Sequence, residues 1–157
     1  MPNAILVLAF AYVRHLAQDR GAAPSGTSLA AWSALTPAGK RIPTGSGKCL
    51  LIRYASATCG ACIHDAPFFA RLSSQMRNLG CEALLVAPIP GLLPTDGWQV
   101  TGASMVGFVS PSFAQQLDLS YTPTTILLGS GREILWSRVG VLDPLEFPAI
   151  AARLKAR

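Results

Sequence analysis

The chain has 157 residues, half of them hydrophobic, with a formal net charge of +5. That suffices for one sound core and falls short of two full domains with a linker. Its Arg and Lys are scattered from Arg14 to Arg157 with no run of three, a solvated basic surface compatible with an anionic membrane surface, which excludes a nucleic-acid footprint.

Ala4 to Val13 is an unbroken apolar run of signal-peptide h-region length, well short of the ~20 residues a spanning helix needs. No Lys or Arg precedes it, the first being Arg14, and Ala9-Phe10-Ala11 offers a small-residue cleavage site. Two readings stand: a signal or anchor remnant whose true start lies upstream, giving N-terminal membrane association, or a helix packed on the domain or on a partner. Arg20 to Ser28, rich in Gly, Ala, Pro and Ser, reads as a linker, which sets residues 1–28 apart from a domain over 29–157.

Ala31 to Leu35, the turn-like Thr36-Pro37-Ala38-Gly39 and Lys40 to Pro43 predict a small hairpin. A buried strand over Cys49 to Ala55 follows, then a helix from the cysteine motif to about Leu79, stopped by Gly80, then a second apolar strand to Pro88. Strand, helix, strand with tight connections is a right-handed crossover, so the two strands are expected to be parallel and close. Pro88 to Gly107 reads as a long loop with one helical turn near Trp98–Ala103. Pro111 to Leu119 is a helix opened by Ser110 as N-cap. Thr124 to Leu128 and Arg132 to Val139 flank Gly129-Ser130-Gly131 as a β-hairpin. Asp143-Pro144-Leu145-Glu146 starts the last helix, with Phe147 to Leu154 periodic; Pro148 pushes the regular helix later.

The stretch Thr58–Pro67, T-C-G-A-C-I-H-D-A-P, is the chemical centre of the chain. Cys59 sits where the strand hands over to the helix, so unpaired N–H groups and the positive end of the helix dipole stabilise its thiolate. Cys62 lies one turn deeper and within reach for a disulfide. A C-x-x-C beside a strand–helix unit reads as a dithiol/disulfide redox pair. A structural zinc site wants four ligands, and His64 is the only local addition, so no metal is expected. Haem attachment wants His directly after the second cysteine, where Ile63 stands, and the Pro-x-x-x-Thr-x-x-Cys of a one-cysteine peroxidase is not met.

The order hairpin, strand, helix with C-x-x-C, strand, helix, hairpin, helix resembles the thioredoxin fold over about Leu29 to Leu154. It is most similar to the TlpA and ResA group of extracytoplasmic thiol–disulfide oxidoreductases. Four features carry the resemblance: Cys59-Gly60-Ala61-Cys62, Pro67 five residues after the second cysteine, Tyr121-Thr122-Pro123-Thr124, and Val139-Gly140. The leading hairpin with Gly39-Lys40 and the Gly47-Lys48 before the central strand favour this group over plain thioredoxins. The resemblance implies an α/β fold, a central mixed β-sheet flanked by helices with an N-terminal β-hairpin. It further implies protein disulfide exchange with no cofactor beyond the Cys59–Cys62 pair, a membrane thiol-transfer reductant as partner, and a place in the bacterial periplasm or on the outer face of the cytoplasmic membrane. Reduction of apocytochrome c cysteines is one such reaction; an oxidase or isomerase role, or a binding module without turnover, are the alternatives.

Pro67 removes one helical hydrogen bond, which aims the first turn outward. Thr122-Pro123, if cis as in the family, turns the Thr122 backbone toward a polypeptide docking beside Cys59 as an extra strand. Asp65 shares the helical face of Cys62, and similar reductants carry a carboxylate there. Such a group disfavours a thiolate and can accept or return its proton; the competing reading is a surface aspartate favourable to the helix dipole. Thr58 replaces the Trp usual in the family. Arg53 stands six before Cys59, where thioredoxins carry a buried carboxylate; it cannot accept a proton. Pointing inward it would lower a thiol pKa; pointing outward, the expected case, it is a strand residue at the sheet edge or under a helix. His64 is expected to be exposed.

Cys49 and Cys81 open the two parallel strands, at the pole opposite Cys59. Neighbouring strands lie ~4.8 Å apart, so a structural disulfide is possible if register and side-chain direction agree, and an oxidising compartment favours it. Two buried free thiols are the commoner outcome for such cysteines.

Overall fold

In the computed structural model the described residues are 26–29, 34–36, 39–42, 47–87, 105–109 and 111–156. The apolar run at Ala4–Val13, the turn at Trp98–Ala103 and the N-cap at Ser110 lie outside them. The elements are β1 (Ala34–Leu35), β2 (Arg41–Ile42), β3 (Cys49–Tyr54), α1 (Gly60–Asn78), β4 (Cys81–Ala87), β5 (Met105–Val109), α2 (Pro111–Gln116), β6 (Thr124–Gly129) and β7 (Ile134–Val139). A 3₁₀ turn, Pro144–Glu146, leads into α3 (Phe147–Lys155).

The strands form one mixed sheet in the order β2-β1-β5-β4-β3-β6-β7. β3 and β4 are parallel, as the crossover through α1 requires, and β4 pairs with β5 in parallel. β6 runs antiparallel to β3 and β7 antiparallel to β6. The hairpin β1–β2 forms as expected and joins the sheet through an antiparallel pairing of β1 with β5.

β5 corrects the reading of Pro88 to Gly107 as loop. Gly107 interrupts its apolar pattern, so the segment carries little strand signal of its own, and the ladder offered by Leu84 to Ala87 supplies its pairing. Gly26–Ser28 also departs from the expected linker, leading into Leu29, the expected start of the domain. Gly26 N–H donates to the Ile134 carbonyl at 2.7 Å and Leu29 N–H to that of Arg132 at 3.1 Å, and Leu29 is buried. The fold thus takes in the last residues of the stretch assigned to the linker.

β3 is buried along its whole length, because both faces of the sheet are covered. Alternation sends Leu50, Ile52 and Tyr54 into one cluster with Phe113 of α2 and Leu117 and Leu119 just after it. Cys49 and Leu51 go into the other, with Phe69, Leu72 and Met76 of α1 and Phe147 and Ile150 of α3. Each fully buried Leu, Ile or Phe contributes about 1.5–3 kcal/mol.

Local signals set the helix limits. Gly80, at φ 87°, takes the left-handed conformation after α1, and its N–H donates to the Arg77 carbonyl at 2.9 Å. Asp143 caps the 3₁₀ turn by accepting the Leu145 N–H at 2.9 Å. The regular helix then starts at Phe147, which puts Pro148 in its first turn, where no donor is needed. α2 ends at Gln116, earlier than expected, as Asp118 turns left-handed at φ 51°.

Candidate active site

Cys59 is the N-cap of α1, and its side chain meets the backbone of the helix it opens. Cys62 N–H points at Cys59 Sγ, 3.1 Å away, and this donor with the helix dipole stabilises negative charge on that sulfur. Ser56, buried at the end of the strand, shapes the entry. Its carbonyl accepts the Cys59 N–H at 3.1 Å, and its hydroxyl bonds Thr58 Oγ1 at 3.0 Å. Thr58, in the place of a large aromatic, is exposed.

Cys59 and Cys62 are joined by a disulfide with Cα atoms 5.2 Å apart. They differ in access. Cys59 is half-buried, whereas Cys62 is fully buried in an apolar cluster with Ala55 and Leu85. Facing the pair is the loop before β6. Thr122-Pro123 is a cis peptide, and the Thr122 carbonyl oxygen lies 3.7 Å from Cys59 Sγ. Pro123 is buried, and its carbonyl accepts the Gly140 N–H at 2.7 Å, which ties the loop to the turn after β7. Ile63 and Tyr121, one residue beyond Cys62 and one before Thr122, are exposed apolar side chains. Pro67 stands inside α1, and His64 is exposed with its ring near Phe68.

Asp65 is not a surface residue. The buried stripe of α1 is Cys62, Asp65, Phe69, Leu72, Ser73 and Met76, so helical spacing carries the carboxylate into the core together with the cysteine. One of its oxygens, Oδ2, meets the Arg53 guanidinium. The other, Oδ1, accepts the Leu142 N–H at 2.9 Å.

Arg53 corrects the outward reading. It is 0% exposed, donates to Thr125 Oγ1 as well as to Asp65, and lies 5.7 Å from the Phe69 ring centroid. Strand alternation puts it on the α1 face with Leu51, and there a charge must find a counter-charge. Burial lowers its guanidinium to about 10, against the attraction of Asp65, so it stays a cation at neutral pH. A lone Arg inside the apolar run Leu50–Ala55, with a lone Asp on the apolar stripe of the next helix, was the signal for this pair. Leu142 left none, since it acts through its backbone N–H, and neither did Ser56, whose carbonyl and hydroxyl act within the turn itself.

At the other end of the same two strands Cys49 and Cys81 are directly paired in the β3–β4 register and joined by a disulfide, Cα atoms 4.5 Å apart. Both are buried.

No family model matches the chain, and no curated protein does. Solved structures do match it. The thioredoxin domain of a thiol-disulfide oxidoreductase from Bacteroides vulgatus is 13% identical with a TM-score of 0.62, over 83% of this chain and 97% of that one. StoA from Bacillus subtilis is 15% identical with a TM-score of 0.58, over 80% and 99%. A thiol:disulfide interchange protein from Bacteroides sp. is 13% identical with a TM-score of 0.56, over 73% and 80%. At these identities the likeness is one of fold, and the fold is thioredoxin-like.

Proposed function

We propose that this chain is a thiol–disulfide oxidoreductase acting on protein substrates through Cys59 and Cys62. The observation that carries the reading is the asymmetry of the pair: Cys59 is half-open at a helix N-cap with an N–H aimed at its sulfur, and Cys62 is buried behind it. In the reducing direction the Cys59 thiolate attacks one sulfur of a substrate disulfide, and the other substrate sulfur leaves as a thiolate and takes up a proton. Cys62 then gives up its proton and attacks Cys59 Sγ in the mixed disulfide. The second substrate thiolate leaves, and two electrons have passed from the pair to the substrate. The Thr122 carbonyl beside Cys59 is an acceptor for the backbone N–H of a polypeptide lying along the loop.

Reduction of extracytoplasmic substrates such as apocytochrome c, with a membrane thiol-transfer protein returning electrons, is the specific role we favour. The support is the fold likeness to thiol:disulfide interchange proteins and the second, buried disulfide, a feature of oxidising compartments. Insulin reduction tests the chemistry: turnover by the wild type and none by Cys59→Ser is expected, and an inactive wild type refutes it. The midpoint potential tests the direction. A value near or below about −270 mV supports reduction, whereas one near about −120 mV identifies an oxidase.

A further inference from the structure

The buried ion pair beneath the cysteines has a consequence for Cys62. The cluster around this thiol is apolar, made of Ala55, Leu85 and Cys59. Three residues along α1, and so one helical turn away, stands the Asp65 carboxylate. An isolated carboxylate at that spacing would oppose ionisation of Cys62 and offer it a base. Asp65 is not isolated: both oxygens are engaged, one by a cation and one by the Leu142 N–H.

The other ionisable groups on the elements packed here are few. On β3 there is Tyr54, whose side chain belongs to the core on the opposite face of the sheet. On β4 there is Glu82, at the far end of the strand with the bridged Cys81. β6 has none, and His64, Arg71 and Arg77 of α1 are exposed, the two arginines two turns or more beyond Cys62. The field at Cys62 is therefore set by Arg53 and Asp65 together.

We propose that Arg53 is a positioning residue that makes Asp65 electrostatically silent toward Cys62. The guanidinium cancels the carboxylate's charge and holds it in place, so that Asp65 fastens α1 to the turn after β7 and takes no proton from the resolving thiol. This deepens the redox reading of the pair and rests on it. The same connection supports the docking loop, because the turn that binds Asp65 through Leu142 also binds Pro123 through Gly140.

The test is a charge cycle read on one thiol. In a Cys59→Ser background with Cys49–Cys81 bridged, Cys62 is the only titrating cysteine, and its thiolate is followed by ultraviolet absorbance against pH. Asp65→Asn leaves Arg53 unopposed and is expected to lower the Cys62 midpoint by about one pH unit, while Arg53→Met leaves Asp65 unopposed and raises it by about as much. The double variant Arg53→Met, Asp65→Asn is expected to return to within about half a unit of the parent. It is also the variant best able to fold, since neutral replacement of a buried pair is often tolerated. If Arg53→Met does not fold, the comparison of Asp65→Asn with the double variant decides alone. A double variant that keeps the whole Asp65→Asn shift overturns the proposal, as does an Asp65→Asn protein whose midpoint does not move. The titration needs no turnover, so it stands or falls separately from insulin reduction by the wild type.

Discussion

The two disulfides lie at opposite ends of β3 and in opposite surroundings. Cys59–Cys62 spans three residues at a helix N-terminus, with one sulfur half-open and an N–H directed at it. Cys49–Cys81 spans 32 residues and closes the whole β3–α1 unit into a loop, with both cysteines buried in an apolar cluster. The sulfur–sulfur bond is the same in both. What separates a reactive pair from a structural one is access for an incoming thiolate and a group that stabilises charge on the sulfur it attacks.

Removing the cysteines of each bridge in turn tells the two apart. Cys59→Ser is expected to abolish disulfide exchange altogether, and Cys62→Ser to trap the mixed disulfide with substrate, visible as a covalent adduct on a non-reducing gel. Removing Cys49 and Cys81 together to Ala is expected to leave exchange intact and to lower stability by about 3–4 kcal/mol, read from the urea midpoint, because the bridge closes a loop of over thirty residues. Loss of exchange in that folded variant would make the second bridge part of the redox machinery.

Graded reduction of the wild type sharpens the same contrast. Peptide mapping with an alkylating agent is expected to find Cys59 labelled first and Cys49–Cys81 still bonded until the protein unfolds. The smallest effect comes from the turn that delivers Cys81 to its partner. Gly80 stands at φ 87°, and an added Cβ would meet only the flexible Lys48 side chain at 3.4 Å. Gly80→Ala is therefore expected to cost about 1–2 kcal/mol of stability through the backbone alone, with no change in exchange rate.

Much of this molecule could be read along the chain. The strand-to-helix position of Cys59, the parallel neighbours on either side of α1, the glycine-rich hairpin and the delayed start of the last helix at Phe147 all follow from local patterns. Asp65 is legible too, since helical spacing puts it on the stripe of Cys62, Phe69 and Leu72. Arg53 is not, because a single charged residue ordinarily belongs at the surface; only strand alternation beside Leu51 places it inward.

Spacing, turn residues and helix caps act over a few residues, and they carry the redox motif, its seat at a helix N-cap and the order of the elements. That Cys49 meets Cys81 in register, that Met105–Val109 joins the sheet, and that Asp65 lies between Arg53 and the Leu142 N–H are matters of long-range pairing. Those outcomes depend on segments brought together from far along the chain. A slip of one residue in β3 against β4 would have parted the sulfurs, and a buried charge finds its partner only once both have left water.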